Sequence, residues 1–140
     1  MSDQLKEFKD YRQRMNERIL ELDNRVIKRV FSVDSLTYAS ESRLQRPVKE
    51  LLGLVASLVL RCDDCVKYHV AEALAAGSSH EEIVEAMSIG LVVGGTIVIP
   101  HMRRAVEFLD QLEPDAGADS GPDGGPEGGP DGDTIRPPGN

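Results

Sequence analysis

Two cysteines three residues apart, with a histidine four residues beyond the second, are the part of this 140-residue chain best equipped for chemistry: Cys62-Asp63-Asp64-Cys65-Val66-Lys67-Tyr68-His69. On a helix, Cys62 and Cys65 are i,i+3 neighbours and Cys65 and His69 are i,i+4 neighbours, so all three share one face. Two thiols so placed can close a disulfide while an imidazole stands within reach. The pair also opens a helix, where unpaired backbone N–H groups and the helix dipole favour a thiolate. Asp63 and Asp64 push the other way, because nearby negative charge raises a thiol pKa. N-capping is the role that suits them, with Arg61 and Lys67 as partial counter-charges.

The spacing excludes covalent haem attachment, which needs His directly after the second Cys. Two other readings stay open on the residues alone. One is a zinc site using Cys62, Cys65, His69 and a fourth ligand such as His101 or Glu50. Against it, the chain has no second C-x-x-C or H-x-x-x-H cluster. The other is a pair of buried cysteines packing as small hydrophobes, which would not need two aspartates between them. Thiol redox chemistry is the preferred reading.

The elements that must hold these residues are helical. Leu5, Phe8, Met15, Ile19, Leu22 and Val26 recur at helical spacings and predict one long amphipathic helix from Asp3 to Val30, with Ser32–Ser40 as a connection. A second helix runs from Ser42 or Pro47 to Leu60 and is apolar on nearly all sides, so it should be buried in the monomer or at a subunit contact. The third spans Asp63 to Ala76 and stops at Gly77, a left-handed cap. Ser78 or Ser79, each with a glutamate three residues on, starts a fourth. Gly90–Pro100 reads as a glycine-interrupted junction between helices, and a last helix reaches Leu112. The longest apolar stretches, Leu51–Leu60 and Ile89–Pro100, are too short to span a bilayer.

Composition sets the limits. The 40% hydrophobic content suits one globular domain, and with 4% aromatics its core must be aliphatic. Seven acids against one arginine in residues 113–140 hold most of the net charge of −8, so the rest is nearly neutral. Neither nucleic acid nor an anionic membrane is therefore an expected partner. The polar segment Met1–Asp10 does not read as a secretory leader, and a cytoplasmic protein is expected. Residues 1–112 are expected to form the folded domain and 113–140 a disordered acidic tail. That tail repeats Gly-Pro-Asp/Glu-Gly and contains one large aliphatic residue, Ile135. Ending in Asp133-Thr134-Ile135-Arg136, it has the form of a tether carrying a short docking peptide for a protein partner or a bacterial protein shell.

Glu50, eleven residues, then Cys62-x-x-Cys65-x-x-x-His69 resembles the E-x11-C-x-x-C-x-x-x-H signature of the alkylhydroperoxidase D-like proteins, within the carboxymuconolactone decarboxylase superfamily. The likeness extends over about Leu44 to Leu109, through Ala73–Gly77, Glu81-Glu82-Ile83 and the Gly94-Gly95 junction. It implies an all-α fold, a homo-oligomer (trimer or hexamer), no cofactor, and an enzyme of the peroxidase or dithiol–disulfide oxidoreductase type. Its implied partners are a peroxide and a dithiol donor of the dihydrolipoyl or thioredoxin kind. By this resemblance Cys65 is the attacking thiol, Cys62 the resolving, partner-facing thiol, and His69 with Glu50 the proton relay. Some members carry His before the second Cys, where this chain has Asp64, a departure that bears on peroxide turnover more than on dithiol exchange. His101, beside the glycine junction, is a candidate to line the site, the plainer reading being an exposed helix start. The alternatives are a lactone decarboxylase, the superfamily's other activity, which does not depend on a C-x-x-C pair, and a non-enzymatic helical assembly or cargo protein docking through its tail.

Overall fold

The computed structural model of the protein describes residues 3–39 and 42–112. The chain runs α1 (Asp3–Glu21), α2 (Arg25–Tyr38), α3 (Arg46–Val59), α4 (Asp63–Ala75), α5 (His80–Gly94), a 3-10 turn (Thr96–Val98) and α6 (Ile99–Leu112). Among the described residues there is no strand, and no helix is long and apolar enough to cross a membrane. The fold is all-α, as the periodicities predict. The acidic stretch 113–140, expected to be a tail, lies outside the described residues.

The single N-terminal helix expected from the apolar stripe is two helices. Asp23 adopts a left-handed φ of 53°, and Asn24 caps α2 by accepting from the N–H groups of Val26 at 3.0 Å and Ile27 at 3.1 Å. Asp and Asn tolerate that backbone and bond back to it, so they can end one helix and start the next inside an unbroken apolar pattern. The expected connection 32–40 is also corrected, because α2 continues to Tyr38. Ser35 and Thr37 return their hydroxyl protons to the carbonyls of Phe31 and Val33, at 3.1 and 2.8 Å, which makes polar residues compatible with helix there.

The core lies among α3–α6, where Leu54, Leu58, Val70, Ile83, Met87 and Leu109 are fully buried. Phe8 joins α1 to it by an edge contact with Phe108, with ring centroids 5.7 Å apart. Of the two candidate starts for α5, Ser79 is the cap: its hydroxyl accepts from Glu82 N–H at 3.2 Å, and Ser79 N–H donates to the Glu82 carboxylate at 2.8 Å. Gly77, at φ 100°, ends α4.

The second predicted helix, α3, buries one face only. Glu50, Leu54, Ser57 and Leu58 point inward, while Leu52 and Leu60 remain 54% and 76% exposed in the single chain. Exposed apolar residues also run along α2 (Val26, Val30, Val33, Leu36) and α5 (Ile89, Val92, Val93).

Candidate active site

The turn between α3 and α4 delivers the cysteines. Leu60, Arg61 and Cys62 donate their N–H groups back to the carbonyls of Ala56, Leu58 and Ser57 at 2.9–3.0 Å. Arg61 takes a left-handed φ of 59° to do so, where glycine is usual. The chain reverses sharply, and α4 returns along α3. Cys62 becomes the N-cap of α4, its sulfur accepting from Cys65 N–H at 3.4 Å. Cys62 and Cys65 are joined as a disulfide with Cα atoms 5.3 Å apart, and both are half-buried.

One turn beyond Cys65 on the same face of α4 stands His69, buried. Its Nδ1 lies 2.9 Å from Oε2 of Glu50, which is itself completely buried on α3. The other carboxylate oxygen, Oε1, faces Nε of Arg46 at 3.5 Å, an ion pair without a hydrogen bond. A carboxylate on Nδ1 fixes that nitrogen as the donor and leaves Nε2 as the basic one. Nε2 and Cε1 lie over Gly53, one turn further along α3 toward Ser57 and the cysteines. A β-carbon on Gly53 would stand 2.7 Å from Nε2, 2.5 Å from Cε1 and 2.7 Å from the Tyr38 hydroxyl. The basic edge of His69 therefore occupies space that any other residue at 53 would fill.

Two tyrosines complete the surround. The Tyr38 ring lies 5.4 Å and the Tyr68 ring 5.2 Å from the imidazole, centroid to centroid. Burial, and then the charge of Glu50, push the Tyr38 phenol above its ordinary pKa, so it stays a neutral donor. Lys49 holds it there by donating to the carbonyls of Thr37 and Ala39, at 2.7 and 3.0 Å, on either side of Tyr38. Behind Tyr68, Arg12 of α1 stacks on the ring at 4.1 Å.

The four residues singled out from the sequence, Glu50, Cys62, Cys65 and His69, are thus gathered on the facing sides of α3 and α4. His101 does not join them directly. Its Nδ1 is 2.7 Å from Oδ1 of Asp63, whose Oδ2 accepts from Arg104 Nε at 2.9 Å. This corrects two expectations: Asp63 is not the cap of α4, since Cys62 is, and His101 is tied to Asp63 rather than left at a solvated helix start. Among the described residues no group of three or more His, Cys, Asp or Glu side chains is arranged to hold a metal ion, the two cysteines being joined to each other. Tyr38 escaped the sequence reading because its segment was taken for a connection.

The sequence signature of the carboxymuconolactone decarboxylase family matches residues 25–108, which contain Glu50, Cys62, Cys65 and His69. The chain belongs to that family. Its fold overlays a crystal structure of a Thermotoga maritima protein with a TM-score of 0.74, at 51% identity over 76% of this chain and 93% of that one. That protein is described as a carboxymuconolactone decarboxylase family member and a candidate for antioxidative response. A family protein of Legionella pneumophila, 18% identical over 79% of this chain and 98% of its own, shares the fold with a TM-score of 0.67. An uncharacterized protein of Cupriavidus necator is 29% identical over 72 residues, 51% of this chain, and the match spans 64% of that relative's length. Protein 4 of the cox locus of Paracoccus denitrificans is 24% identical over 74 residues, 53% of this chain and 67% of its own. Glu50 with the C-x-x-C-x-x-x-H run is consistent with an alkylhydroperoxidase D-like member of the superfamily.

Proposed function

We propose that the protein is a thiol-dependent oxidoreductase that reduces peroxides, or relays electrons between dithiols, through Cys62 and Cys65. The observation that carries this reading is the buried Glu50–His69 pair, one helical turn beyond Cys65 of a disulfide-forming C-x-x-C. A purely structural disulfide needs no base beside it. The antioxidative role suggested for the Thermotoga maritima relative agrees with this reading.

In the reduced protein His69 Nε2 takes the Cys65 thiol proton, and Glu50 stabilises the imidazolium that results. The thiolate attacks one peroxide oxygen: an S–O bond forms, the O–O bond breaks, and the departing alkoxide takes the proton from His69. Cys65 is left as a sulfenic acid. Cys62 attacks that sulfur, closing the disulfide and releasing water. A dithiol donor then supplies two electrons and two protons by thiol–disulfide exchange and is itself oxidised to a disulfide. Dithiol exchange alone uses the last step with a disulfide as oxidant.

The test is consumption of an organic hydroperoxide by purified protein with a dihydrolipoyl or thioredoxin-type donor. Turnover abolished by Cys65→Ser and strongly reduced by His69→Gln is the expected result. A wild-type protein that keeps two free thiols after peroxide, and passes no electrons from either donor, would sink the proposal.

A further inference from the structure

The two aspartates between the cysteines present an electrostatic problem for any thiol chemistry here, and α6 supplies a partner for one of them. Asp63 follows Cys62 directly, in the first turn of α4. Alone, its carboxylate would oppose ionisation of the neighbouring thiols. It is not alone: Arg104 Nε donates to Oδ2 at 2.9 Å and His101 Nδ1 to Oδ1 at 2.7 Å, both from α6. Arg104 Nη2 also stands 3.1 Å from His101 Nδ1, a nitrogen that cannot accept while it donates to Asp63. Asp64, by contrast, is exposed and has no such partner in this cluster. Partial burial would raise the Asp63 carboxyl, but the hydrogen bonds from His101 and Arg104 and the Arg104 charge outweigh it and hold it below its ordinary range. The carboxylate is therefore ionised at neutral pH, and its charge is met by the guanidinium.

We infer that Arg104 is a positioning residue for the thiol pair, which neutralises Asp63 and so keeps the reduced Cys62 and Cys65 acidic enough to react. His101 orients the carboxylate toward α6. The helix N-terminus can then act on the sulfur at its cap without an opposing charge beside it. The inference rests on the redox reading of the pair, but its test does not need turnover.

The charges near the pair fix the sign of each outcome. Arg61 and Lys67 flank the pair on the α3–α4 turn and on α4, and Lys67, Arg104 and Glu107 line one small cleft beside α4. Arg104→Gln leaves Asp63 uncompensated and should raise the lower thiol pKa by about half a unit to one unit, the size expected of one charge a few ångströms away at a wet surface. Asp63→Asn leaves Arg104 unopposed and should lower it by a similar amount. The double variant should return to within a few tenths of a unit of wild type. The measurement is the pH dependence of iodoacetamide alkylation of the reduced full-length protein, with helical content recorded for each variant. Opposite signs in the two single variants, cancelling in the double, support the inference. Shifts of the same sign would show a merely structural tether, and no shift would show that the charges do not reach the sulfurs; either result overturns it. If Arg104→Gln does not fold, Asp63→Asn alone must still lower the pKa, and Arg104→Lys, which keeps the charge, must leave it near wild type. Absence of a reversible disulfide in the wild type would refute the redox reading instead, and leaves the pKa pattern separately readable.

Discussion

Replacing Glu50 by glutamine tests the site at its least accessible point. The side chain is fully buried, with Oε2 2.9 Å from His69 Nδ1 and Oε1 3.5 Å from Arg46 Nε. Glutamine has the same shape, and its amide oxygen can still accept from Nδ1, so the packing survives and only the charge is lost. A hydrogen bond to a charged group contributes about 1.5–3 kcal/mol against about 0.5–1.5 for a neutral one. Relief of the carboxylate's desolvation offsets part of the difference, and a net loss of about 1 kcal/mol is expected. In a domain of this size that lowers Tm by about 4 °C. The kinetic effect should be larger: an imidazole without its carboxylate is a poorer base. Part of the roughly 10²–10⁴-fold that general-base help supplies should vanish, giving a loss of about 10–100-fold in single-turnover oxidation of the reduced pair. Glu50→Ala is less informative, because an unpaired buried partner and a cavity together cost about 3–5 kcal/mol, a large share of a small domain's stability. The assay follows free-thiol loss after mixing reduced protein with peroxide between pH 5 and 9, beside a thermal melt. Wild-type rates and an unchanged pH profile in Glu50→Gln would refute the relay, whatever the melt shows.

Gly53→Ala should reduce thiol reactivity at least as much as Glu50→Gln, because its β-carbon would collide with His69 and Tyr38; a variant that reacts normally would show that His69 can move aside at no loss. Because the Asp63 pKa is depressed on folding, its contribution to stability is present above its ordinary pKa near 4 and is lost as pH falls through the lower folded value. Wild type and Asp63→Asn should therefore converge in acid, as urea melts at several pH values would reveal. Apolar side chains exposed on α2, α3 and α5 lead us to expect a homo-oligomer, which a monodisperse monomer in light scattering at micromolar concentration would exclude. Removing residues 113–140, which lack apolar periodicity, is expected to leave circular dichroism, Tm and thiol oxidation unchanged.

What the sequence made legible is what short range and spacing encode. The i,i+3 and i,i+4 relations within Cys62–His69 need only a helix to become geometry. The Ser79–Glu82 capping box and the Gly77 stop are local chemistry read at once. Glu50 was reached through family spacing, and its position becomes intelligible when the Arg61 reversal folds α4 back along α3. The remaining parts depend on contacts that no local pattern announces. Arg104 meets Asp63 across 41 positions, and Lys49 binds carbonyls rather than side chains, so neither leaves a motif. The α1–α2 break was hidden because Leu22 and Val26 keep helical spacing across it, although the two helices do not share one axis of hydrogen bonds. Tyr38 was lost with the segment that carries it.

Three local choices in this chain work against stability, and all three fall on the path that joins Glu50 to Cys62. A fully buried carboxylate within an apolar helix is an arrangement that well-packed hydrophobic residues commonly match or better. Glycine at position 53, inside α3, costs about 1 kcal/mol relative to alanine. Arginine at 61 occupies a left-handed backbone conformation that costs on the order of 1 kcal/mol outside glycine. Separately, each is an ordinary irregularity. Together they serve one arrangement: the carboxylate fixes the imidazole's tautomer, the missing side chain makes room for its basic edge, and the strained turn sets Cys62 at the head of α4. A helical hairpin kept only for packing would have no use for any of them. Their concentration between Glu50 and Cys62 is what a fold shows where local stability yields to chemistry, and it favours the proposed thiol-redox reading over that of an inert helical module.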